Sequence, residues 1–117
     1  MAAPNILGAS SIIGKTAVQA ITTSATAIVT NSAASGKAMK INALYVANVD
    51  GAAACDLTVD IFRSSTAYRV GSTISVPADA SLDVLTKAIY LEEGDSLRLT
   101  ASANGDLEAV CSYEEIS

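Results

Sequence analysis

The residue types that ordinarily carry chemistry are few in this sequence, and their spacing limits what they could do. No histidine occurs among the 117 residues, which removes the commonest general base, the usual partner of a nucleophilic serine or cysteine, and the commonest metal ligand. Asp56 and Asp60 stand four apart. On a strand that separation is about 13 Å, too far for an acid–base pair. Glu92, Glu93 and Asp95 crowd around Gly94 and could offer oxygen ligands to a hard cation, but their spacing is not that of an EF-hand loop. An acidic turn of this kind is expected to be solvated. Gly14-Lys15-Thr16 resembles the end of a phosphate-binding loop, yet Ala9 stands where GxxxxGK[ST] requires its first glycine. Serine and threonine are abundant, with Lys15, Lys37, Lys40 and Lys87 as candidate partners. No spacing favours a Ser–Lys pair, and a hydroxyl without a base is not a nucleophile. The sequence therefore assigns no catalytic residue, no cofactor and no metal ligand, and an enzyme is not expected.

Cys55 and Cys111 lie far apart without a Cys-x-x-Cys spacing or further thiols for a zinc site. Two strands could bring them together as a disulfide, or each could be a small buried residue. Their parity favours burial: Cys55 alternates in phase with Leu57, Val59 and Ile61, and Cys111 with Leu107, Ala109 and Tyr113.

The elements that must hold these residues are strands. Leu97, Leu99 and Ala101 alternate with Ser96, Arg98 and Thr100, a strand with one buried face and Arg98 on the other. Ile89 and Leu91 form the preceding run, and Glu92–Asp95 the turn between them, with Gly94 free to take φ > 0. Cys55–Arg63 is the cleanest strand, with Leu57, Val59 and Ile61 on the core side and Asp56, Thr58 and Asp60 toward water. Lys37–Val49 has a fault: Met39, Ile41 and Ala43 keep odd parity, Leu44 and Val46 even, so a bulge near Asn42 or Ala43 is predicted. Thr66–Val76 groups Tyr68, Val70, Ile74 and Val76, with a bend at Gly71-Ser72 and a stop at Pro77. Between residues 15 and 30, Val18 and Ala20, then Thr26, Ile28 and Thr30, share a parity, and the many threonines argue for strand over helix. Asp50-Gly51 and Asn104-Gly105 are turn signals, and Asn31–Gly36 is a loop by composition. The last strand, Asp106–Ile116, takes the chain to its end inside the sheet. With about eight short strands and no convincing helix, the pattern predicts an all-β, antiparallel β-sandwich, jelly-roll-like.

Residues 1–14 fit this pattern poorly. Ile6, Leu7, Ile12 and Ile13 are apolar without a clean period, and Pro4, Gly8 and Gly14 interrupt them. The segment is expected to be either an edge strand or an arm on a neighbouring subunit, with residues 15–117 forming a single β-sandwich domain. Those four aliphatic residues are the candidate subunit or shell contacts.

Composition narrows the partners. Half the residues are hydrophobic, yet the aromatics are four tyrosines and one phenylalanine, so core area comes from small aliphatics and association would help stability. The net charge of −5, with seven Lys and Arg spread along the chain, offers no basic stripe for nucleic acid. No basic region marks a secretory signal and no apolar run approaches the length of a membrane span. A soluble protein made in the cytoplasm is expected.

Taken together, MAAPNI…GASSIIGKTAVQAITTSATAIV, KINALYVANVDG, SVPADASLDV and YLEEGDSLRLTASANGDLEAVCSYEEIS resemble, over the whole chain, a family of small virion structural proteins of tailed phages, particularly those infecting cyanobacteria. The resemblance implies a particle component and brings no catalytic residue or cofactor. On that basis the first expectation is a capsid decoration (cement) protein of the virion, made in the host cytoplasm. It would contact the major capsid protein or another virion protein as a homo-oligomer, a trimer being natural at a local three-fold. The alternatives are a tail, neck or fibre-associated protein, and a carbohydrate-binding sandwich module, for which Tyr45, Tyr68, Tyr90, Tyr113 and above all Phe62 would be the sugar platforms.

The parity of the two cysteines generates a direct test. A thiol reagent should label the native protein slowly and reach two thiols per chain after unfolding without reductant. Absence of labelling in the unfolded, unreduced chain would show a disulfide instead.

Overall fold

A computed structural model describes residues 4–117 as an antiparallel β-sandwich. A short 3-10 turn, Ile6–Gly8, precedes nine strands: β1 (Ile12–Ala20), β2 (Thr26–Thr30), β3 (Ala38–Asn48), β4 (Cys55–Arg63), β5 (Thr66–Val76), β6 (Ser81–Asp83), β7 (Ile89–Leu91), β8 (Ser96–Ala101) and β9 (Leu107–Ile116). One sheet runs β1-β9-β3-β6, with β7 also on β3; the other runs β2-β8-β4-β5. All pairings are antiparallel. Except at the β4–β5 hairpin and the β6–β7 link, each strand passes to the opposite sheet. The expected sheet edge begins earlier than residue 15, since Ile12 and Ile13 already pair with Ile116 and Glu115.

The core is the space between the sheets. Leu44 and Val46 of β3 and Leu107 and Cys111 of β9 face Leu57 and Val59 of β4 and Leu97 and Leu99 of β8, all fully buried. β3 carries the predicted fault: its register with β9 shifts between Ile41 and Ala43, which leaves Asn42 as the extra residue. Met39 and Ile41 before the bulge, and Leu44 and Val46 after it, are thereby all buried.

In two other strands the set that shares a parity in the sequence is the less buried one. In β1 the core side is Ala17, Gln19 and, just beyond the strand, Ile21, whereas Val18 and Ala20 look outward. The pairing with β9 dictates this, because Ala17 opposes the buried Cys111 and Gln19 the buried Ala109. The Nε2 of Gln19 donates to the Ala27 carbonyl 3.2 Å away, linking the two sheets, while its Oε1 is buried without a partner among the described residues. In β2, a shift between Ala27 and Val29 makes Ile28 the extra residue and buries Val29.

Two asparagines unremarked in the sequence close the ends of the sandwich. Asn48 donates to the carbonyls of Ala53 and Val76 at 3.0 and 2.9 Å and accepts from the Asp50 N–H. Asn31 donates to the carbonyls of Lys37 and Leu91 at 2.9 and 3.0 Å. Both side chains are buried and satisfy loop groups that no ladder reaches.

Cys55 and Cys111 are free and buried, on β4 and β9 of opposite sheets. Burial pushes the Cys111 thiol up to about 11, so its reactive thiolate is scarce at neutral pH.

Leu99 lies in the centre of this core, fully buried. Leu99→Ala should cost about 2–5 kcal/mol in chemical denaturation, the range for truncating a buried leucine. A cost below about 1 kcal/mol, as for an exposed position, would contradict the inward orientation of β8.

Candidate interaction surface

The N-terminal segment lies on the surface. Its 3-10 turn is capped by Asn5, whose Oδ1 accepts from the Leu7 N–H at 3.1 Å. The segment is tied down after the turn, where the N–H groups of Ser10 and Ser11 donate to the Ser117 carbonyl at 2.8 and 2.9 Å. Leu7 is 98% exposed, and Ile6, Ile12 and Ile13 are each about half exposed. The turn and the start of β1 therefore leave all four candidate residues at the surface, and none of them fills the core.

The outer face of the sheet containing β1 adds a second apolar feature. Val110 pairs with Val18 on one side and Tyr45 on the other, so the three form one row across β1, β9 and β3. Val18 is 74% exposed, and Tyr45 and Val110 are substantially exposed as well. The neighbouring rows are Ala20–Glu108–Ala47 on one side, with an exposed carboxylate at its centre, and the small Thr16–Ser112–Ala43 on the other. Inverted parity in β1 is what brings Val18 to this face.

The acidic turn is occupied by protein groups. Asp95 is fully buried. Arg63 at the end of β4 grips it with two N–H donors, Nε to Oδ1 at 2.7 Å and Nη2 to Oδ2 at 2.6 Å, and the Glu92 backbone N–H adds 2.8 Å to Oδ2. Arg63 also reaches Glu92 at 2.9 Å, and Glu93 accepts from the Gly36 N–H at 3.0 Å. The turn expected to be merely solvated is thus a clamp joining the β7–β8 turn, the end of β4 and the β2–β3 loop. Its carboxylates are satisfied by arginine and backbone N–H groups, a donor set that leaves no cradle for a cation. Among the described residues no cluster of three or more acidic or thiol ligands has metal-binding proximity.

Asp60 also departs from expectation. It is fully buried on the outer side of β4, between Arg98 of β8 at 2.8 Å and Arg69 of β5 at 3.0 Å. These residues are register partners across three strands, and the Arg98 guanidinium stacks 4.0 Å from the Phe62 ring centroid. Phe62 is therefore covered by an arginine and offers no free platform for a sugar. The polar pattern of β4 was read correctly as an outer face, but sequence periodicity cannot tell water from two arginines.

A groove of 380 Å³ opens between the sheet edges, lined by Ile61, Arg63, Tyr68, Val70, Ile89 and Tyr90. Tyr68 and Val70 had the parity of core residues but remain exposed, because opposite them the other sheet offers only the three-residue β7.

No protein-family profile matches the chain, and no curated protein matches it. Among solved structures, it is similar to a chain from the structure described as "Bacillus endospore appendages form a novel family of disulfide-linked pili". The TM-score is 0.55 at 12% identity, over 100% of this chain and 96% of that one. A pentameric capsid protein isolated from metagenomic phage sequences aligns at a TM-score of 0.44 and 13% identity, over 86% of this chain and 60% of that one. The nucleoplasmin-like N-terminal domain of a Drosophila protein gives 0.45 and 14%, over 87% and 85%. At these identities the pilus likeness shows a shared fold.

The carboxylate clamp makes stability depend on acid. The Arg63 guanidinium holds Asp95 below the usual carboxylate range, with the Glu92 N–H assisting against burial. The ammonium groups of Lys37 and Lys15 do the same for Glu115, at 2.7 and 2.9 Å. A carboxylate with a depressed folded value binds its proton more readily when unfolded. Its contribution is therefore complete above the unfolded value, about 4, and is lost as pH falls through the folded one. The melting temperature should drop as pH is lowered below about 4, and Asp95→Asn should flatten that drop while lowering stability at neutral pH. An unchanged acid profile in the variant would remove Asp95 from this role.

Proposed function

We propose that this protein is a structural component of a phage virion, a decoration protein bound in multiple copies to the outer shell. The observation that carries this reading is the placement of Ile6, Leu7, Ile12 and Ile13: four large aliphatic side chains held at the surface of a sandwich whose core is filled without them. Each contributes about 1.5–3 kcal/mol when fully buried, which is a strong drive for association. The resemblance of the sequence to small virion proteins and the fold shared with a pilus subunit agree with an assembling role. Both cysteines face the interior, so the contacts proposed here are non-covalent, unlike those of the disulfide-linked pili. The partner is the major capsid protein or another virion protein, met by the N-terminal side of the sandwich.

A tail, neck or fibre location is the second reading, and the copy number decides between them. Quantitative mass analysis of purified virions should find copies on the scale of the shell protein; only a few copies per particle would favour the tail. The groove with Tyr68 and Tyr90 is where a carbohydrate module would bind, and glycan binding abolished by Tyr68→Ala would replace the structural reading altogether.

The contact itself is tested with Ile6→Asp combined with Leu7→Asp. Because neither residue belongs to the core, circular dichroism and melting temperature should stay unchanged. Binding to particles lacking the protein should weaken by at least tenfold, equivalent to about 1.4 kcal/mol. Undiminished particle binding would overturn the assignment of this segment.

A further inference from the structure

The free edge of β1 is the least protected strand edge among the described residues. β1 pairs with β9 over nine consecutive positions with no register shift, and among the described residues no strand pairs with its other side. Natural edges are ordinarily blunted by bulges, prolines, charge or brevity. The other edges here are blunted: β5 carries two extra residues against β4 and a left-handed Thr73, β2 is short and bulged, and β6 and β7 have three residues each. β1 has no proline and no bulge, and its one charge, Lys15, is engaged by Glu115.

Which groups face outward follows from the hydrogen bonds at its ends. Ser11 and Ser117 exchange both backbone bonds at 2.9 Å, and the Ile21 N–H donates to the Leu107 carbonyl. Bonding to β9 therefore falls on odd residues, and the N–H and C=O groups of Ile12, Gly14, Thr16, Val18 and Ala20 point to the free edge. The side chains of these same residues lie on the outer face.

We infer that β1 pairs antiparallel with β1 of a second copy about a two-fold axis at Thr16. In that register Thr16 meets Thr16 of the partner, Gly14 meets Val18 and Ile12 meets Ala20. The Thr16–Thr16 pair is of a kind that stabilises directly opposed positions, and no two bulky residues oppose each other. Val18, the most exposed large hydrophobic of the strand, gains cover over the partner's Gly14, where an added side chain meets nothing within 4 Å in the single chain. Lys15 stands opposite Ala17, so no like charges are directly opposed. The contact is isologous and closes on itself, and it sets the Val18–Val110–Tyr45 rows of two copies on one continuous face, four residues out of line. It is distinct from the contact proposed for Ile6 and Leu7, which lies before the strand.

Proline and cysteine variants of the full chain test this register. Thr16→Pro removes an N–H that the β1–β9 ladder does not use, so the fold should survive by circular dichroism. The mass by sedimentation should fall to half that of the wild type. Ala17→Pro removes a ladder donor and should lower the melting temperature instead. In an otherwise unchanged chain, Thr16→Cys should form a covalent dimer under mild oxidation, since hydrogen-bonded partners lie about 5.5 Å apart between Cα atoms, within disulfide reach. Gly14→Cys should not, because its partner is Val18. A wild type that sediments as a monomer, a Thr16→Pro protein of undiminished mass, or equal cross-linking of Gly14→Cys and Thr16→Cys would each overturn the inference.

Discussion

The structure depends on strand parity. A strand has two faces, and a shift of one residue exchanges them, so a core built largely of leucine, valine and isoleucine survives only if every inward position is held in phase. β3 cannot hold that phase along its length, and the extra residue at Asn42 is what lets Met39, Ile41, Leu44 and Val46 all reach the interior. β9, between β1 and β3, transmits the phase to β1. The Val18–Val110–Tyr45 row on the outside is thus a consequence of what β9 buries on the inside.

The sequence was informative where alternation was strong and its breaks were local. The sandwich, the inward sets of β4 and β8 and the bulge in β3 all follow from leucines, isoleucines and valines at fixed spacing, without knowledge of partners. In β1 and β2 the inward face is not legible, because the inward residues include Ala17, Gln19 and a bulge-displaced Val29, which do not announce a face. Only pairing with β9 and β8 decides the orientation there. The N-terminal aliphatics stood out for the opposite reason: they are large, they obey no period, and the described core has no place for them.

Charged residues were the least legible. Asp60 and Asp95 have the surroundings of solvated carboxylates in the sequence, and both are fully buried. Their partners lie between nine and 38 residues away along the chain. A buried ion pair is weak evidence for net stability, since desolvation opposes the attraction, but losing one partner leaves a charge stranded. The value of these clusters lies in location: Arg63 joins the end of β4 to the β7–β8 turn, and Asp60 ties three strands at one register. They fix the relative positions of elements that aliphatic packing alone would allow to slide.

The irregular β5 has a consequence for the size of anything this protein builds. A sandwich with two regular edges is bifunctional in the sense of a polymer chemist: each added unit offers a new site, and growth runs on into fibres. The two extra residues of β5 and its left-handed Thr73 interrupt the backbone on one side, so strand addition there finds no continuous row of donors and acceptors. With one side terminated in this way, the protomer behaves as a chain stopper toward open-ended β-polymerisation, and any larger order must come from contacts other than strand addition.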